Sequence, residues 1–120
     1  MVGIFVGGLQ WPTWHMELPR AALAALCRRY GVAQLYAFGS VLTSRFDPAH
    51  SDVDVLVQLL PAPPLAQGEA LLRLWEELEL LLGCWVDLLT ADSLRNPVLR
   101  AEIDRTKQLL YDAAMPEVPA

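Results

Sequence analysis

Apolar residues at Ala22, Leu23, Leu26, Cys27 and Tyr30 fall at three- and four-residue steps, the spacing of one buried helix face, and predict an amphipathic helix from Pro19 to Tyr30. Pro19 suits its first turn, Arg28 and Arg29 meet the negative end of the helix dipole, and Gly31 is placed to supply a left-handed stop. A first strand is expected over Val32 to Phe38, ending at Gly39-Ser40. Polar residues then dominate from Thr43 to His50, which reads as a helical turn followed by a loop. After it the period changes to two: Val53, Val55, Val57 and Leu59 alternate with Asp52, Asp54, Leu56 and Gln58, a strand pattern closed by Pro61-Ala62-Pro63-Pro64. Residues 65 to 82 return to helical spacing, with Leu71, Leu74, Trp75, Leu78, Leu81 and Leu82 on one side and Gly83 at the end. A third strand is expected over Cys84 to Thr90, a helical turn capped by Asp92 or Ser93, a helix opened by Asn96-Pro97 and running to about Arg105, and a short last strand at Leu109 to Tyr111. The order of elements predicts an α/β (α+β) domain with a small mixed sheet flanked by helices.

Composition narrows the picture. With 120 residues and 54% hydrophobic side chains, the chain has the material for one cored domain. Its formal charge of -5 argues against extended nucleic-acid binding through a basic face. Met1 to Leu9 is apolar but short and has no basic leader, so neither a secretion signal nor a membrane span is expected there. Cys27 and Cys84 lack a second Cys or His at metal-ligand spacing and read as reduced, buried thiols of a cytoplasmic protein. Residues 1–15 are expected to be an appended segment, 16–114 the domain, and 115–120 a flexible tail.

The chemistry concentrates in the acids. Asp52 and Asp54 lie two apart on one strand, hence on the same face and roughly 6–7 Å apart. Carboxylates held that close repel one another and favour a divalent cation, which can bridge triphosphate oxygens. Asp87 is a lone acid inside the apolar run Trp85-Val86-Asp87-Leu88-Leu89, where a carboxylate persists only if exposed, partnered or on a metal. Gly39-Ser40 follows a strand and precedes a helical turn, a place where backbone N–H groups and a hydroxyl receive phosphate.

Together, Phe38-Gly39-Ser40, the spacer to Ser51, Asp52-Val53-Asp54 and the later Val86-Asp87-Leu88 resemble the nucleotidyltransferase superfamily that includes DNA polymerase beta, and within it the minimal nucleotidyltransferases called MNT or MntA-like proteins. The resemblance runs from about Val32 to Tyr111. It implies the nucleotidyltransferase fold, with Asp52 and Asp54 holding Mg²⁺ that binds the nucleotide phosphates. It also implies that Asp87 completes the site and helps activate the acceptor hydroxyl, while Gly39 and Ser40 hold the triphosphate. Position 41, basic in some relatives, is Val41 here, which leaves Arg45 as the nearest cation for the phosphates. The resemblance further implies ATP as the nucleotide and a separate all-helical HEPN-type protein as partner, neutralised by an antitoxin that adenylylates it.

Plainer readings stand beside these. Asp52 and Asp54 alone would be a solvated strand start, Asp87 an edge-strand acid facing water, Ser40 a helix cap and His50 an incidental loop residue. The Trp75 and leucine stripe reads as core or as a partner-facing surface, and an exposed part of it would suit another chain or a second copy. The rival function is a non-catalytic module that covers a helical partner. A small-molecule acceptor is a third, although no second domain is present to build its site.

Overall fold

The computed structural model describes residues 19–39 and 52–115. Its elements run α1 (Arg20–Arg29), β1 (Val32–Phe38), β2 (Val53–Leu59), α2 (Pro64–Leu82), β3 (Val86–Thr90), a single 3-10 turn (Ala91–Ser93), α3 (Pro97–Thr106) and β4 (Gln108–Asp112). The expected extension 1–15, the turn after Ser40 and most of the tail lie outside the described residues. Pro19 takes the N-cap position of α1. Gly83, at φ 70°, gives α2 its left-handed C-cap. Asn96 caps α3 by accepting the N–H groups of Val98 at 2.9 Å and Leu99 at 3.3 Å.

The sheet order is β3-β2-β1-β4. β1 is antiparallel to both β2 and β4, and β2 is parallel to β3, so the sheet is mixed as expected. α2 is the crossover that a parallel pair requires.

Period two sorts the strand residues onto two faces. Val53, Val55 and Val57 join Leu23, Leu74 and Leu78 in the main core beneath α1 and α2. On the other face Phe38, Leu56, Leu94 and Ile103 form a smaller core, with Tyr36 and Leu89 packed on it. Asp54 belongs to this second face, between the alternating valines.

β3 is an edge strand, and an edge left with open N–H and C=O groups invites foreign pairing. Here it is sealed. The Trp75 indole donates to the Val86 carbonyl at 2.7 Å, and Glu79 accepts the Val86 N–H at 3.0 Å. At the far end the Ser93 hydroxyl accepts from the Thr90 N–H and donates to the Thr90 carbonyl. Trp75→Phe is therefore expected to cost about 1 kcal/mol through the lost donor. An unchanged urea midpoint would refute that role.

Both cysteines are free; Cys27 is buried and Cys84 half-buried. Burial pushes each thiol up to about 12, helped at Cys84 by the charges of Glu79 and Asp52. Among the described residues no helix is long and apolar enough to cross a membrane.

Candidate active site

Three chain segments meet at one end of the sheet. Phe38 pairs with Asp54 across β1 and β2, and Asp54 pairs with Asp87 across β2 and β3. Partners in register project to the same side of a sheet, so Asp54 and Asp87 share the face of the smaller core. Had Asp87 shifted by one residue, it would point into the packing under α2.

Gly39 comes directly after β1 and closes this corner. Its φ of +79° lies in the left-handed region that side chains avoid. A Cβ built there would overlap Asp54 Oδ2 and stand 3.3 Å from Asp54 Cγ. The backbone and the carboxylate approach this closely only because the residue is glycine.

Asp54 is half-buried, whereas Asp52 and Asp87 are exposed. Burial first, then the charges of Asp87 and Asp52, raises the Asp54 carboxyl from 3.8 to about 6. The charges of Asp87 and Asp52 thus act on Asp54, and none of the three is paired with a described cationic side chain. Among the described residues no three His, Cys, Asp or Glu side chains are gathered closely enough to cage a metal ion. β2 begins at Val53, and Asp52 just before it lines a groove with Trp75, Glu79 and Trp85 beside α2. Ser40 and Arg45, expected at the phosphates, and His50 lie outside the described residues.

Lys107 was not singled out from the sequence. β4 pairs Gln108 with Ala37, which brings Lys107 to the same end of the sheet as Phe38. Its ammonium stands 4.2 Å from the centroid of the Tyr36 ring and 3.1 Å from Asp104 Oδ1. The available signal was that an acidic chain spends its only lysine here.

Mixed sheet, crossover helix, glycine bend and paired aspartates define the class: the chain belongs to the nucleotidyltransferase domain family, whose profile matches residues 20–110. More narrowly, it is similar to a solved structure described as a minimal nucleotidyltransferase, at 30% identity over 85% of this chain and 97% of that one, with a TM-score of 0.62. It is also similar to a mutant of the toxin–antitoxin MntA-HpeT, at 19% identity over 80% of this chain and 75% of that one, TM-score 0.58. A toxin–antitoxin structure with AMP-PNP matches at 21% identity over 80% and 75% of the two chains, TM-score 0.59. The last two, at such identities, attest the fold. A search among curated proteins finds no match.

Proposed function

We propose that this chain transfers AMP from ATP to a hydroxyl of a HEPN-type helical protein and acts as the antitoxin of that partner. The observation carrying this reading is the register of Asp54 with Asp87, one strand from the tight Gly39 bend. The similarity to structures described as toxin–antitoxin pairs, one of them with AMP-PNP, supports the nucleotide and the partner.

Asp54 and Asp87, in register on one face and unpaired, fit a divalent cation; with Asp52, whose charge reaches Asp54, they are the residues that would hold Mg²⁺. When bound, the ion supplies charge neutralisation at the triphosphate and Lewis acidity at the α-phosphoryl oxygens. Gly39, at the bend after β1, would receive the phosphates, with Ser40 and Arg45 assigned to them by the sequence resemblance alone. Asp87 accepts the proton of the acceptor hydroxyl as its oxygen bonds to the α-phosphorus. The α–β phosphoanhydride bond then breaks, and pyrophosphate leaves in line.

The second reading, a module that covers its partner without chemistry, is favoured by the groove beside α2 and by the open spacing of the acids. One experiment separates the two. With ATP labelled at the α-phosphate, magnesium and a HEPN-type helical protein, label is expected on that protein with the wild type and not with Asp54→Ala or Asp87→Ala. A tight complex that never acquires label would refute transfer and establish the module.

A further inference from the structure

The face of α2 turned away from α1 is unusually apolar for a solvated surface. Leu65 is 78% exposed, Leu72 62%, Trp75 40% and, at the start of β3, Trp85 73%. Leu65, Leu72 and Trp75 fall on one stripe of the helix. Two cavities run along this stripe, of about 560 Å³ and about 690 Å³, and both are lined by Leu72 and Trp75. They form one groove, some 15 Å long at 1.5 Å per helical residue from Leu65 to Trp75. Its far end is bordered by Asp52.

Gly68 sits in the lining of the first cavity, inside α2. A glycine within a helix is less favourable than alanine, and nothing stands within 4 Å of the place its Cβ would occupy. The helix gives up stability at a position on the cavity lining where a side chain would enter open space.

We propose that this groove seats an amphipathic α-helix of a second protein, apolar along one side and flanked by arginine or lysine. The inference rests on the reading of the chain as a transferase acting on a protein hydroxyl, and it supplies the surface that brings that acceptor to the carboxylates. Three features select the occupant. Asp52, Glu69, Glu76 and Glu79 line the two cavities and, among the described residues, no basic one does, so the complementary ligand carries positive flanks. A second copy of this chain would set glutamates against glutamates across a two-fold axis. An added strand is disfavoured because the side chains of Trp75, Glu79 and Ser93 already occupy the outward groups of Val86 and Thr90.

The test uses the full chain and a HEPN-type helical protein, with dissociation constants for that protein and for ATP measured in parallel. Gly68→Gln adds a side chain on the cavity lining while improving helix propensity, so it folds at least as well as the wild type; Leu72→Glu adds a charge at an exposed site. Each is expected to weaken partner binding at least 30-fold and to leave ATP binding within twofold. Raising NaCl from about 50 to 500 mM is expected to weaken the wild-type complex about tenfold. Unchanged partner binding in both variants overturns the groove. A wild-type homodimer that Leu72→Glu dissociates also overturns it, by assigning the face to a second copy. A wild type that binds the partner through this groove but not ATP with magnesium sinks the transferase reading alone.

Discussion

Asp54→Asn is expected to abolish transfer while making the metal-free protein more stable. The activity loss follows from removing the most central of the three carboxylates: forfeiting several kcal/mol of transition-state charge stabilisation corresponds to roughly 10³-fold or more in kcat. The stability gain follows from the same placement. Burial and the neighbouring Asp87 and Asp52 charges hold the folded carboxyl at about 6 against 3.8 for the free group. A folded pKa above the unfolded one means that the folded state binds the proton more tightly. Its contribution is complete below about pH 3.8 and is lost as pH rises through about 6. Above pH 7 the ionised wild type carries the whole penalty, and the neutral amide carries none. Solvent screens part of this at a half-buried site, so a gain of about 3–5 °C in Tm is expected at pH 8 without magnesium. The gap should close towards pH 4. Magnesium should raise the wild-type Tm and leave Asp54→Asn nearly unmoved. A variant less stable than wild type at pH 8 without metal would show that Asp54 is a structural partner and not a repelled ligand.

That tension between stability and site explains which parts of the molecule were legible in its sequence. Elements set by local periodicity were. The alternation at Val53, Val55 and Val57 gave β2 to within one residue, and Gly83 and Asn96 marked the end of α2 and the start of α3 through backbone requirements that are local. Boundaries set by tertiary hydrogen bonds were less so. β3 starts at Val86, not Cys84, because ladder pairing with Val53 begins there. The acidic corner was legible in composition but not in geometry. Nothing local states that Asp87 lies opposite Asp54, since a parallel register is fixed by the crossover through α2. Strand alternation placed Asp52 with Asp54; β2 begins one residue later, at Val53, and Asp52 lies close enough for its charge to act on Asp54 while also bordering the groove. Trp75 satisfied both readings of the leucine stripe at once. Its indole N–H seals the Val86 edge, and its ring remains a wall of the exposed groove.

Gly39→Ala is expected to impair transfer far more than folding. The backbone at φ +79° costs an alanine about 1 kcal/mol relative to glycine. The second cost falls on chemistry, because the new methyl group would occupy the space of Asp54 Oδ2. That atom ends a short side chain and can swing aside, so relief comes cheaply for the fold. It comes by moving the carboxylate out of the register that sets it beside Asp87, and misplacement of this kind costs roughly 10²-fold in rate. A double-mutant cycle isolates the effect. In the wild-type background Gly39→Ala should lower stability by both backbone strain and the displaced carboxylate, whereas in an Asp54→Ala background only the strain of about 1 kcal/mol should remain. Equal stability losses in the two backgrounds, together with unimpaired kcat for the single variant, would show that the close approach of Gly39 to Asp54 has no part in shaping the site.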